Sequence, residues 1–377
     1  MQIKSKKIKV AVALSGGVDS SVACALLKKQ GFEVVGFHMR LWKAKPRAAL
    51  GVLNRGLPSE TEKRVREIGR VLSIKVFIFD FQKEFKDYVV DYFVESYKKG
   101  ITPNPCVVCN KEIKFGLLLQ KAKTLGCDYL ATGHYARLRQ GFGGQARLLQ
   151  AKCKEKDQGY FLWKLSQGQL KHILFPIGEI ESKQKVRDLA KKFGLPTYKT
   201  PESNDVCFLQ DTNINDFLTR HLSRPTPRPQ AEEWGGGGGI VDIKGNVLGQ
   251  HKGLWFYTIG QRKGIALPQG PWFVIAKVPD STPRPQAEEW GRGTLVVSKN
   301  EKDLDKKEVR FKNTNWINQP VKFPFKAKAK IRYGAQLASC LVYKDRAIFT
   351  KSQRAITPGQ SVVFYKGNEL LGGGIIQ

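Results

Sequence analysis

The apolar positions of this chain fall into two regimes. Up to about residue 200, short apolar, partly β-branched runs alternate with longer stretches in which apolar residues recur three and four apart. The runs Lys7–Leu14, Glu33–Phe37, Lys75–Phe79 and Asp128–Thr132 read as strands, and Ser20–Lys29, Glu60–Val71, Lys83–Lys98 and Lys111–Leu125 as helices. Strands separated by helices predict an α/β domain built on a doubly wound parallel sheet, which places ligands at the C-terminal ends of its strands. After about residue 215 glycine increases and helical periodicity fades. Short β-rich runs take over at Trp272–Val278, Leu295–Val297, Phe325–Tyr333, Cys340–Phe349 and Gln360–Tyr365. These predict a small β-rich central module followed by a C-terminal β-barrel. The expected division is 1–215, 216–280 and 281–377.

Between the first strand and the first helix lies Ser15-Gly16-Gly17-Val18-Asp19-Ser20-Ser21. Two glycines let backbone approach an oxyanion closely, the N–H groups of a helix start point at it, and the serine hydroxyls add donors. No Lys-Ser/Thr pair follows, so this is not a Walker A loop. SGGVDS instead resembles the PP-loop of ATP pyrophosphatases, which bind the pyrophosphate end of ATP and adenylate a substrate.

Charge narrows the partner. Lys and Arg total 64 against 33 Asp and Glu, a net +31 spread along the chain, which suits a polyanion such as a folded RNA. No apolar run approaches the ~20 residues needed to span a bilayer, and no apolar leader is present, so a cytoplasmic location is expected. Seven cysteines without a leader do not suggest a disulfide scaffold. Cys24 and Cys127 sit in apolar surroundings and read as core.

Cys106 and Cys109 lie in TPNPCVVCNKEIKFG, 102–116, where two prolines predict an extended loop and a helix starting just after Cys109. A thiol there, with Lys111 and Lys114 nearby, is expected to have a lowered pKa. Cys207 follows in SNDVCF, 203–208. The C-x-x-C also suits half of a metal site. A zinc site wants a second such pair, which is absent, whereas an iron–sulfur centre on Cys106, Cys109 and Cys207 stays open at this level.

SGGVDSSVA, GFHMRLW (36–42), the 102–116 segment, ATGHYAR (131–137) and KDQGYFL (156–162) occur in one order. FPIG (175–178), SNDVCF, GQHKGLWFYTIGQRKG (249–264), KIRYG (330–334), TPGQ (357–360) and GGGII (372–376) follow. The set closely resembles the bacterial tRNA-specific 2-thiouridylases, which place sulfur on C2 of the wobble uridine. The resemblance implies ATP on Ala13, Leu14, Ser15, Gly16, Gly17, Val18, Asp19 and Ser20, with Met39 and Gly133 against adenosine. Asp19, a carboxylate suited to a hard cation, is expected to help hold Mg²⁺. It implies a persulfide on Cys207, delivered by a sulfur-donor protein, and Cys109 as the nucleophile that frees the sulfur and leaves a Cys109–Cys207 disulfide. Implied tRNA contacts are Asn104, Pro105 and Cys106 at the target base, then His134, Lys156, Asp157, Gln158, Arg332, Tyr333 and Gln360. The chain is expected to act as a monomer.

Three positions depart from the family pattern: Cys106 stands where an Asp is usual, Gly159 replaces a serine, and the segment after Trp42 lacks the usual acidic, cysteine-bearing sequence. The decapeptide TPRPQAEEWG occurs twice, at Thr226–Gly235 and Thr282–Gly291, and reads as inserted surface loops. Gly141–Gln145 reads as a hairpin tip or a small insertion. Two other readings compete: a different PP-loop adenylating enzyme, which would not need paired cysteines, and a non-enzymatic RNA-binding module, against which the intact loop and both cysteines count.

Overall fold

The structure is a computed structural model and describes residues 7–42, 59–141, 144–202, 206–209, 212–222, 238–279, 293–318 and 322–377. Both decapeptides, the segment 43–58 and Ser203, Asn204 and Asp205 lie outside the described residues.

Five parallel strands form the first sheet: β1 (Lys9–Ala13), β2 (Glu33–Arg40), β3 (Val76–Asp80), β4 (Tyr129–Thr132) and a short β7 (Ile173–Leu174). Their order is β3-β2-β1-β4-β7. The order reverses beside β1, which is where a doubly wound sheet opens a crevice for ligands. Ala11 pairs with Val35 on one side and Leu130 on the other, and all three side chains enter one core. Their neighbours Val10, Val12, Val34 and Ala131 enter a second core on the opposite face. Burial on both faces explains why β1 is almost continuously apolar.

The second core packs beneath α1 (Val18–Lys29), α2 (Glu60–Val71) and helix Lys183–Lys192. The first packs beneath helix 82–98 and helix 105–124 and continues into the last strands of the chain through Trp163, Val363, Tyr365 and Leu370. α2 matches its expected bounds; Ser59 caps it, accepting from the Glu62 amide at 3.2 Å. Helix 105–124 starts six residues before its expected first residue, Lys111. Pro105 is its first residue, where the missing N–H costs nothing and the fixed φ suits a helix. Both cysteines of the C-x-x-C are therefore helical, and Cys109–Leu117 is π-helical.

β5 (Ala136–Gln140) and β6 (Ala146–Gln150) pair as an antiparallel hairpin, beyond which the Gly141 amide donates to Gln145 O at 2.6 Å. The central region pairs β8 (Gly239–Val241) with β9 (Val247–Gln250), and β10 (Phe273–Pro279) with β11 (Gly293–Ser298). The C-terminal barrel is a closed ring of β12 (Asp305–Trp316), β15 (Arg346–Arg354), β14 (Ala338–Val342), β13 (Phe325–Lys330), β16 (Ser361–Lys366) and β17 (Glu369–Ile376), with β12 pairing β17 to close it. The expected run Cys340–Phe349 is two strands, turned at 343–345, where the Tyr343 amide donates to Arg346 O at 2.8 Å.

The first region and the barrel are joined. β6 pairs with β17 at Leu149 and Glu369, and Tyr160 Oη and Trp163 Nε1 each donate to Ser361, at 2.9 Å. Among the described residues no helix is long and apolar enough to cross a membrane.

Candidate active site

At the C-terminal end of β1 the chain turns through Gly16, whose φ of +78° is a conformation that only glycine adopts without strain. Ser20 Oγ accepts from the Ser15 amide at 3.2 Å and donates to Gly17 O at 3.1 Å, while Ser21 Oγ donates to Gly17 O at 2.7 Å. These two hydroxyls, expected as ligand donors, instead hold the loop in shape. The first helical bond of α1 runs from the Ser21 amide to Gly17 O at 3.3 Å, so the amides of Val18, Asp19 and Ser20 precede any intrahelical acceptor. They form a positive concave end, as an anion site requires. Arg64 Nη1 donates to Gly16 O at 3.4 Å and adds a cation beside it.

Gly133 follows β4 and abuts the same loop. A Cβ there would lie 2.5 Å from Ser20 N and 2.7 Å from Asp19 C, so only glycine permits this approach. Met39, partly buried, lies near the C-terminal end of neighbouring β2, opposite Phe79 of β3.

Asp19 is engaged. Lys183 Nζ donates to both of its oxygens at 2.8 and 2.7 Å, and Tyr135 Oη donates at 2.9 Å. Both oxygens of Asp19, the carboxylate expected to help hold Mg²⁺, are thus paired with an ammonium group in this structure. Lys183 is also 3.7 Å from Glu202, which accepts from Lys156 Nζ at 2.7 Å. Burial raises the Tyr135 phenol's pKa, and the Asp19 charge raises it further, so the hydroxyl keeps its proton and donates it. Sequence reasoning missed Lys183. The available signal was a lysine opening helix Lys183–Lys192 after the Ser182 cap, at the end where the helix dipole disfavours cations.

Across the sheet, Asn104 stands at the N-cap position of helix 105–124 and is buried, its side chain making no capping hydrogen bond. Cys106 and Cys109 sit three apart in its opening turns, hence on one face. Cys109 is buried and Cys106 half-buried, whereas Cys207 is the only exposed cysteine of the seven. Burial pushes the Cys109 thiol up to about 12, against a smaller downward pull from Lys114; the Cys207 and Cys106 thiols push it further up. The protein around Cys207 also raises its thiol, opposed by Lys114 and reinforced by Cys106, though its surface exposure makes this rise smaller than at Cys109; burial raises Cys106 too. Val206 and Phe208, which flank Cys207, pack into the same core as Cys109, so two distant segments meet here.

The expected lowering of the Cys109 pKa is overturned, because a thiol facing the core loses more hydration than the lysine charge returns. All three cysteines are free thiols. Among the described residues no group of three His, Cys, Asp or Glu side chains is placed to hold a metal ion. Phe208 anchors the Cys207 turn in an aromatic cluster, with ring centroids 5.1 Å from Phe93, 5.2 Å from Phe217 and 5.9 Å from Phe85.

The remaining expected residues divide. Arg332 and Tyr333 are exposed, and the Tyr333 ring lies 4.5 Å from Phe161. His134 Nδ1 is 2.7 Å from Thr132 Oγ1, and burial holds its pKa well below the usual value, so the ring is neutral. Gln158 accepts from the Tyr135 amide at 3.0 Å and bonds the Tyr135 carbonyl at 2.8 Å, fixing the turn after Gly133. Asp157 is buried: its carboxylate accepts from the Ala151 amide at 2.9 Å and lies 3.8 Å from Lys330 Nζ. Its side chain is turned inward, away from the polyanion it was expected to meet. The Gln360 side-chain amide donates to Thr102 O at 3.1 Å and Pro103 O at 3.0 Å.

Comparison with known proteins agrees region by region. Residues 8–211 match the tRNA methyl transferase HUP domain, 232–282 the tRNA methyl transferase PRC-barrel domain, and 306–376 the aminomethyltransferase beta-barrel domain. The chain is 40% identical to a tRNA-specific 2-thiouridylase of Clostridioides difficile over 98% of each chain. It is 41% identical to the corresponding protein of Carboxydothermus hydrogenoformans over 98% of this chain and 97% of that one. A solved 4-thiouridine synthetase–RNA complex with bound ATP aligns at 16% identity and TM-score 0.35, over 56% of this chain and 50% of that one, and is too distant to bear on function. With end-to-end identity at this level, the chain belongs to the family of tRNA-specific 2-thiouridylases.

Proposed function

We propose that the chain thiolates C2 of the wobble uridine of tRNA in an ATP-dependent reaction, with Cys207 as sulfur carrier and Cys109 as the thiol that releases the sulfur. The observation that carries this reading is that Val206 and Phe208, which flank Cys207, pack into the same core as Cys109, across a long sequence separation. A structural cysteine pair would not need a PP-loop on the same sheet.

The residues 13–20, with Gly133 closing one side and Met39 on the next strand, suit the phosphates and adenosine of ATP. Uridine O2 attacks the α-phosphate and pyrophosphate leaves. The step is needed because a carbonyl oxygen is a poor leaving group, whereas AMP is a good one. A persulfide on Cys207 then attacks C2 and AMP departs. Cys109 thiolate attacks the Cys207 sulfur, the S–S bond to the transferred atom breaks, and 2-thiouridine is released with a Cys109–Cys207 disulfide left behind. An external thiol reductant supplies two electrons to reset the pair.

The high pKa values of the resting thiols fit this order. A protonated Cys109 does not attack the loaded persulfide before a substrate is in place. Mg²⁺ enters as the nucleotide's own counterion, since Lys183 and Tyr135 hold Asp19. Lys183 would offer its charge to the pyrophosphate end of ATP.

Exposed Arg332 and Tyr333, with Lys156 beside Tyr333, and Gln158 and His134, suit the RNA, and Asn104, Pro105 and Cys106 suit the target base. In this reading residues 1–215 perform the chemistry, while 216–280 and 281–377 grip the tRNA. A separate sulfur-donor protein loads Cys207, and the chain works as a monomer.

The test is nucleoside mass spectrometry of tRNA after incubation with ATP and a persulfide donor. The expected result is 2-thiouridine with the native chain and none with Cys207→Ala. Undiminished product from that variant would sink the reading, as would tRNA binding insensitive to salt.

A further inference from the structure

The cations near the anion loop are not alike. Lys183 is held by both oxygens of Asp19, at 2.8 and 2.7 Å, and lies 3.7 Å from Glu202. Arg40, at the C-terminal end of β2, forms a two-pronged pair with Glu62, Nε to Oε1 at 2.7 Å and Nη2 to Oε2 at 2.8 Å. Arg64 differs from both. Among the described residues it makes no ion pair: Glu60, four residues before it, accepts from Lys63 at 2.7 Å, and Glu62 belongs to Arg40.

The packing of α2 fixes where Arg64 lies. Thr61 and Val65, four apart and so on one face of the helix, press on the first turn of the loop. A Cβ on Gly16 would lie 3.0 Å from Thr61 Cγ2 and 3.7 Å from Val65 Cγ2. Arg64, just before Val65, is half-buried, and its Nη1 donates to Gly16 O at 3.4 Å. That long bond uses one of the guanidinium's N–H donors and leaves the others. The remaining charges of this network cancel, Asp19 against Lys183 and Glu202 against Lys156. The pyrophosphate end of ATP is multiply charged, and the partial charge of a helix start, roughly half an elementary charge, does not balance it.

We infer that Arg64 is a phosphate-binding residue of the ATP site, contacting the pyrophosphate that leaves when the uridine is adenylated. Arginine suits the task because its planar fork meets two phosphate oxygens at once and its charge is not lost on titration. The bond to Gly16 O holds the fork beside the loop before a nucleotide arrives. Charge that grows on the departing pyrophosphate then meets a cation already in place.

This inference rests on the reading of residues 13–20 as the ATP site, and its test separates the two. Arg64→Gln keeps a donor for Gly16 O and removes the charge; Arg64→Lys keeps the charge and loses the fork. The full chain is titrated calorimetrically with ATP, inorganic pyrophosphate and AMP, each with Mg²⁺, and pyrophosphate release is followed with ATP and tRNA. For Arg64→Gln the expected result is at least about a tenfold loss of affinity for ATP and for pyrophosphate, as the loss of charge-assisted hydrogen bonds predicts. Pyrophosphate release should fall at least as far, AMP affinity should stay within about twofold of native, and Arg64→Lys should fall between Arg64→Gln and native. Native pyrophosphate affinity in Arg64→Gln would overturn the inference and leave Arg64 a brace on the loop. An equal loss in both variants would overturn it too, as would a loss of AMP affinity alongside that for pyrophosphate, since each marks a disturbed loop and not a missing charge. If the native chain binds neither ATP nor pyrophosphate, the loop reading falls and the role of Arg64 with it. If it binds both but forms no 2-thiouridine, the proposed thiolation falls and the role of Arg64 stands.

Discussion

The anion loop is one continuous stretch, residues 14–21, whereas the thiol site draws on the helix from Pro105 and the turn at Cys207. The first is finished before any ligand arrives: hydroxyls bond backbone, Gly16 makes the turn, and Lys183 neutralises Asp19. The second rests in its inactive protonation state, with buried Cys109 pushed up to about 12. A preorganised anion site needs no reorganisation to act on ATP. A reactive persulfide beside a ready thiolate would instead discharge unproductively, so burial serves the thiol site as a brake.

The sharpest way to break this contrast is to remove the thiols. Cys109→Ala and Cys207→Ala should each lower 2-thiouridine formation at least about a thousandfold, because the two act as a unit. Pyrophosphate release with ATP and tRNA should stay near native. Loss of both activities together would show that the sites are not separable. Lys183→Ala attacks the other side. It leaves the Asp19 charge unpaired at the phosphate end, and pyrophosphate release should fall about a hundredfold, while diamide crosslinking of the cysteines continues unchanged.

The pH dependence of Cys109 sharpens the idea of a brake. With its pKa raised to about 12, its thiolate fraction should climb about tenfold per pH unit from pH 7 to 10, and alkylation in the free protein should follow. A plateau below pH 9 in mass-spectrometric labelling would mean that the thiolate is already present at rest. The smallest effect is expected from Gly133→Ala. A Cβ 2.5 Å from Ser20 N forces the loop to shift, and overpacking of this kind costs about 1–3 kcal/mol in denaturant titration, with weakened ATP binding beside it.

The sheet was legible because its strands are apolar on both faces and its helices amphipathic, as α2 shows. The barrel was half legible. β12, Asp305–Trp316, is mostly charged and polar and shows only Val309 and Phe311 buried within it, so its alternation is faint. β17 carries Gly372, Gly373 and Gly374, which propensity argues against as strand. They are there because Asn315 O and the Trp163 ring would lie 2.2 and 3.0 Å from any Cβ at Gly372 and Gly373. The start of the cysteine helix was misplaced because Pro105 was read as a breaker and serves as the first helical residue.

What the sequence by itself determined is local or compositional: the anion loop, Cys109 and Cys207 as the candidate thiols and the excess of positive charge. Those follow from contiguous residues or from simple sums, and neither depends on how the chain folds back. Only the tertiary structure decided that Cys109 is protonated at rest, that Lys183 holds Asp19 and that Asp157 is turned inward. Each depends on desolvation or on a partner distant in sequence, and neither quantity exists until the chain has closed on itself.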